Sequence, residues 1–133
     1  MTLQTIQVRD YMSRTLVVLN SGTEILQALD TFVRKDISAA PVVDESGALI
    51  GILTEKDCMK VALNAAYHSE YGGIVADYMT ASVVSVHPDD GIVALAERFL
   101  GERYHRYPVV ENGRLVGVIS RRDVVRALGE AWQ

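Results

Sequence analysis

The sequence predicts an α/β (α+β) fold made of two strand–helix–strand–strand–helix repeats packed about a pseudo-twofold axis. Three observations predict it: the chain matches itself at a fixed offset, both halves order strand-like and helix-like segments alike, and both end their last strand in the same short motif. Aligning Val8 with Val75 sets Asp10-Tyr11-Met12 on Asp77-Tyr78-Met79, Val17 on Val84, Ile25 on Ile92, Phe32 on Phe99, and Pro41-Val42-Val43 on Pro108-Val109-Val110. A one-residue deletion in a turn then sets Gly47 on Gly113, Leu49 on Leu115, Gly51 on Gly117 and Asp57 on Asp123. The offset is 67 before that turn and 66 after it, and a loop tolerates such a gap. The repeats span 8–66 and 75–129 and are expected to make one folding unit.

Each element follows from local pattern. Leu16-Val17-Val18-Leu19 and Val83-Val84-Ser85-Val86 read as short buried strands. Ser21-Gly22-Thr23-Glu24 has the spacing of a capping box, with serine at N-cap and glutamate at N3. The helix after it presents Ile25, Leu26, Leu29, Phe32 and Val33 on one face, and Ile92, Val93, Ala96, Phe99 and Leu100 repeat that stripe. Hairpins follow, one turning at Asp44–Gly47 and one at Glu111-Asn112-Gly113, where Asn-Gly is a strong short-range turn signal. A last helix begins after Thr54 or Ser120, the second ending near Gly129 as a C-cap. A repeat of roughly 50 residues has too little core to stand alone. The half ending near Tyr71 is therefore expected to be unfolded or self-associated.

Composition narrows the function. About half of the 133 residues are apolar, yet no apolar run approaches the length needed to span a bilayer. The opening Met1-Thr2-Leu3-Gln4-Thr5 lacks a basic start followed by an apolar stretch, so the expected compartment is the cytoplasm. One cysteine, Cys58, excludes an internal disulfide framework, and His68, His87 and His105 are too scattered to suggest a metal set. A net charge of −4 argues against a nucleic-acid-binding surface. Seven arginines nevertheless fall after residue 97, as a local anion site would require. Walker, His-Glu-x-x-His and Gly-x-Ser-x-Gly motifs are absent from the sequence, so an enzyme is not expected.

The repeated motif is Gly51-Ile52-Leu53-Thr54-Glu55-Lys56-Asp57 and Gly117-Val118-Ile119-Ser120-Arg121-Arg122-Asp123. Together with the Val-x-Asp-x-Met opening and the Pro-Val-Val strand, it makes the chain resemble a tandem pair of cystathionine-β-synthase (CBS) repeats, from about Val8 to Leu128. The resemblance implies a regulatory module, assembled as a homodimer, that binds an adenosine-containing ligand in clefts between the repeats. AMP, ADP or ATP is the expected ligand, NAD or S-adenosylmethionine the alternative, and a ligand-independent dimerisation scaffold the competing role. No bound cofactor is implied, and any effector is expected to be a separate protein.

Site residues follow on two levels. Thr54 with Asp57 and Ser120 with Asp123 are either plain N-caps with an N3 acid or contacts to the vicinal hydroxyls of a ribose. The helix N-terminus behind each carboxylate offers amides to a phosphate. Arg121 and Arg122 begin their helix against the dipole preference, which makes sense around an anion, whereas Glu55 and Lys56 carry no net charge. His105-Arg106 resembles the phosphate-contacting pair of nucleotide-binding CBS proteins. Base recognition is implied at main-chain groups near Thr15 and Ser82 and around Ala39–Pro41 (with Ala40) and Arg106–Pro108, with Tyr107 either lying on the base or filling the core. Trp132 is expected to pack on the body or a partner.

Overall fold

A computed structural model describes residues 2–69 and 72–132. Met1, where a leader would begin, and Tyr71, the expected end of the first half, lie outside the described residues. Helices and strands are mixed as the sequence predicts. The chain forms two compact units whose membership crosses the repeats: Val17–Val83 is one, and Met1–Leu16 with Val84–Gln133 is the other. Each repeat's opening helix thus belongs with the hairpin and helices of the other repeat.

In the Val17–Val83 unit, β1 (Leu19–Asn20) pairs in parallel with β2 (Ala39–Val43), which pairs antiparallel with β3 (Leu49–Thr54). The helices are α2 (Ile25–Lys35), α3 (Glu55–His68) and the short α4 (Val75–Tyr78). Ile25, Ala28 and Phe32, at helical spacing, bury with Leu19, Val42, Leu53, Val61, Val75 and Tyr78. In the two-segment unit, α1 (Val8–Tyr11) joins α5 (Ile92–Gly101), α6 (Arg121–Ala131) and the hairpin of β4 (Arg106–Glu111) and β5 (Arg114–Ser120). Ile92, Leu95 and Phe99 pack with Ile6, Val8, Tyr107, Val109, Ile119 and Val124. Asn112 and Gly113 turn the hairpin with φ of 54° and 77°, as a two-residue type I′ turn requires.

The opening arms dock in the same way. Ser13 bridges Val118 through two hydrogen bonds of 2.8 and 3.0 Å, and Thr80 bridges Ile52 through two of 2.9 Å. This close approach explains the glycine of the motif. A Cβ on Gly117 would stand 2.9 Å from both Met12 Sδ and the Ser13 carbonyl oxygen, and one on Gly51 would be 3.0 Å from the Thr80 oxygen.

Several expectations are corrected. The first strand of repeat one is only Leu19–Asn20, and in repeat two it shrinks to a bridge between Val86 and Val109. Val18 is 39% exposed, and Leu16–Val18 lie outside the strand. Ser21 is not an N-cap. α2 starts after Glu24 with no side-chain cap, and the Ile25 amide donates to the Gly73 carbonyl at 3.0 Å instead. Gly129 lies inside α6, whose C-cap is Trp132. Leu26, Val33, Val93 and Leu100, assigned to the buried stripe, face outward, Leu100 at 90% exposure. Trp132 is also 77% exposed.

Candidate functional site

The hairpin register brings the motif residues together. Arg106 pairs with Ser120, Tyr107 with Ile119 and Pro108 with Val118, so His105 and Arg106 stand beside the start of α6. In the other unit Ala39 pairs with Thr54 and Ala40 with Leu53, setting Ser38 beside the start of α3. The two units divide the expected site residues. Thr15 lies in the unit of His105–Pro108 and Ser120–Asp123, and Ser82 in that of Ala40, Thr54, Lys56 and Asp57. Thr15 and Ser82 are exposed, each two residues beyond its arm's bridge.

Both carboxylates form real capping boxes. Ser120 donates its amide (2.8 Å) and hydroxyl (3.0 Å) to Asp123 Oδ2, and the Asp123 amide donates back to Ser120 Oγ at 3.2 Å. Thr54 and Asp57 repeat this at 3.0, 3.1 and 3.1 Å. The other oxygen of each carboxylate meets a cation one turn on: Arg126 is 3.1 Å from Asp123 Oδ1, and Lys60 is 3.2 Å from Asp57 Oδ1. Spacing alone does not single out Lys60 and Arg126, but their shared i+3 position, repeated at offset 66, is a signal in the sequence. The first amides of the two helices are already taken, because Arg121 donates to the His105 carbonyl at 3.1 Å and Glu55 to that of Ser38 at 2.9 Å. With the third amides held by Ser120 and Thr54, this limits the expected open amides at each helix start to the second position among the first three.

Cations distinguish the two junctions. His105, Arg106, Arg121 and Arg122 are all exposed around the start of α6. Arg121 also sets its guanidinium against His105 Nδ1. At the α3 junction the same places hold Ser38, Ala39, Glu55 and Lys56, and the Asp57 side chain is 7% exposed against 20% for Asp123.

Tyr107 takes the core alternative. Its ring is fully buried, 4.7 Å from that of Phe99, with the Arg98 guanidinium 4.7 Å from its centroid. Its hydroxyl donates to Glu102 Oε1. Burial first, and then this bond, push the phenol up to about 12, while the same bond holds Glu102 below its ordinary value. Pro108 and Ala40 are buried within their strands.

One histidine is less isolated than the sequence suggested. His87, Asp89 and Glu111 bring ligand-type atoms within 4.8 Å of one another. Arg9 sits with them, its Nε 3.0 Å from Asp89 Oδ1 and its terminal nitrogen 3.8 Å from Glu111, and the Asp89 amide donates to His87 Nδ1 at 3.0 Å. The cluster thus holds an internal cation and pins α1 to its unit.

Two strand-to-helix junctions with the same Ser/Thr-x-x-Asp box, each closed by an opening arm from the other repeat, define a paired-repeat module. The CBS domain family model matches residues 8–64 and 75–130. The chain belongs to the CBS domain family and is a CBS-pair regulatory module. It is 31% identical over 125 residues to an uncharacterised protein of Methanocaldococcus jannaschii, covering 94% of this chain and 44% of that one. Among solved structures it superposes on CBSX2 in complex with AMP with a TM-score of 0.83 at 28% identity, over 96% of this chain and 98% of that one. CBSX2 is a protein of Arabidopsis thaliana. It also superposes on the CBS domain pair of protein MJ0100 in complex with 5′-methylthioadenosine and S-adenosyl-L-methionine, with a TM-score of 0.75 at 27% identity over 95% and 98% of the two chains. The chain spans less than half the length of several curated relatives it matches. Among the described residues, no helix is long and apolar enough to cross a membrane.

Proposed function

We propose that this module senses an adenine nucleotide, AMP, ADP or ATP, without turning it over, and that the β5–α6 junction is its stronger site. The observation that supports this is the gathering of four exposed basic side chains, His105, Arg106, Arg121 and Arg122, around the Ser120–Asp123 box. Asp123 Oδ1 accepts from the ribose hydroxyls, and the arginines neutralise phosphate. The AMP complex of CBSX2 supports the ligand class, and the MJ0100 pair makes S-adenosylmethionine the competitor to test. Charge-assisted bonds to phosphate contribute about 1.5–3 kcal/mol each, so a junction lacking two of them binds about a hundredfold more weakly.

Calorimetric titration with AMP, ATP, NAD and S-adenosylmethionine tests the reading. Asp123→Ala and Arg122→Ala are each expected to weaken AMP or ATP binding tenfold or more, and Asp57→Ala to do less. Loss of binding in Asp57→Ala with Asp123→Ala unaffected moves the site to α3. No adenosine ligand bound at millimolar concentration leaves capping as the whole role of both aspartates.

The same proposal includes a homodimer joined through helices. Exposed apolar residues recur at equivalent positions of the two repeats: Leu26 and Val93, Val33 and Leu100, Met59 and Val125. Exposed apolar residues on helices of both repeats offer a contact surface to a second copy. Between α5 and α6 an apolar groove of about 270 Å³ runs beside Leu100 and Val125. Light scattering at micromolar concentration is expected to give a dimer, and Leu100→Asp with Val125→Asp a folded monomer. A wild-type monomer at that concentration removes the dimer from the proposal.

A further inference from the structure

The two units connect their capping aspartates differently. In the Val17–Val83 unit, Tyr78 donates to the Gly72 carbonyl at 3.0 Å and accepts from Asn64 at 3.2 Å. Lys60 there pairs with Asp57 alone among the described residues. In the two-segment unit the equivalents of Tyr78, Asn64 and Lys60 are Tyr11, Glu130 and Arg126. Tyr11 donates to Glu130 Oε1 at 3.0 Å. Burial and this bond raise its phenol above the ordinary range. Arg126 reaches Asp123 Oδ1 at 3.1 Å and the Tyr11 carbonyl at 3.2 Å, and its guanidinium lies 4.9 Å from the Tyr11 ring centroid. A planar fork of five donors can hold a carboxylate and a carbonyl together. The result is a continuous path from Asp123 through Arg126 to the end of α1.

We propose that Arg126 is a positioning residue that couples occupancy of Asp123 to the docking of the opening arm, residues 8–13. This rests on the reading of Asp123 as a ribose contact. Asp123 Oδ2 is committed to the cap. Oδ1 is the oxygen a ligand hydroxyl takes, and it is the oxygen Arg126 holds. A hydroxyl donating to Oδ1 competes with Arg126, whose remaining holds, on Tyr11 and at 4.0 Å on Glu130, then have to order a long side chain with one anchor fewer. The arm loosens when ligand binds, and by linkage a loosened arm favours ligand by the same factor.

The arm's amides report this directly. Ser13 donates to the Val118 carbonyl at 2.8 Å and Met12 to that of Val8 at 2.9 Å. Without ligand, hydrogen exchange at Met12 and Ser13 is expected to speed up severalfold in Arg126→Gln. Arg126→Lys, which keeps the charge and reproduces Lys60, is expected to do the same and guards against a general loss of fold. Lys60→Gln is expected to leave Met79 and Thr80 unchanged. With wild-type protein, saturating adenosine, which carries no phosphate to attract Arg126, is expected to speed exchange at Ser13, and to add nothing in Arg126→Gln. Unchanged Ser13 exchange in Arg126→Gln overturns the proposal without reference to any ligand. Adenosine binding with Ser13 unchanged in wild type overturns the coupling alone. Failure of adenosine to bind at millimolar concentration overturns the ribose reading, and the coupling to ligand with it.

Discussion

Gly117→Ala is expected to cost roughly 2 kcal/mol of stability, within the range for forcing atoms into a packed site. The new Cβ meets the Ser13 carbonyl at 2.9 Å, and that oxygen cannot withdraw without giving up its bond from the Val118 amide. Met12 Sδ, also 2.9 Å away, can shift, but the backbone cannot. The strain falls on the docked arm, so chemical denaturation should show a lower midpoint with an unchanged slope. Gly129→Ala is the contrasting variant. Gly129 lies inside α6 with nothing within 4 Å of an added Cβ, and alanine there is expected to stabilise by up to about 1 kcal/mol. Equal effects of the two alanines would show that close approach is not what Gly117 provides.

Tyr107 is expected to make the protein sensitive to high pH. Its phenol titrates near 12 in the folded chain, above its ordinary value of 10. A group raised on folding adds stability that is fully present below the unfolded value and is lost as pH climbs through the folded one. The window therefore runs from pH 10 to about 12, and by linkage the loss reaches roughly 2 kcal/mol at its upper end. Tyr107→Phe removes that dependence. Among the described residues it also leaves Glu102 with the half-buried Arg98, whose Nε is 3.2 Å away, so the variant should start about 1 kcal/mol lower near neutrality. Urea unfolding of both proteins at pH 9 and pH 11.5 separates the effects. Parallel losses in the two proteins would mean that another group carries the alkaline transition.

What was legible in the sequence was local or repeated. Asn112-Gly113 announces its turn because two consecutive left-handed residues exclude most side chains. Thr54-x-x-Asp57 and Ser120-x-x-Asp123 announce helix starts because donor and acceptor lie three residues apart. Ser21-x-x-Glu24 has the same spacing and failed, because amides and carbonyls from Gly73 to Ala76 take the hydrogen bonds around it. That pairing leaves no mark near Ser21. Leu26, Val33 and Leu100 fall on the apolar face because periodicity counts apolar residues and cannot show what covers them. At the site, the cation excess around Arg121 and Arg122 was readable from composition. The hold of Arg126 on the Tyr11 carbonyl was not, since 115 residues separate the two.

The exchange of opening helices makes the two repeats depend on each other for completion. A gene encoding one repeat specifies a hairpin whose edge, at Val118 or Ile52, is closed by an arm that another copy supplies. Two such chains complete each other only on meeting, at a rate set by their abundance. The tandem arrangement keeps both arms on one chain, where effective concentration is roughly millimolar whatever the level of expression. On one chain each arm has its own partner unit and the two need not be interchangeable. Their surroundings differ accordingly, with Arg121 opposite Glu55, Arg126 opposite Lys60 and Glu130 opposite Asn64.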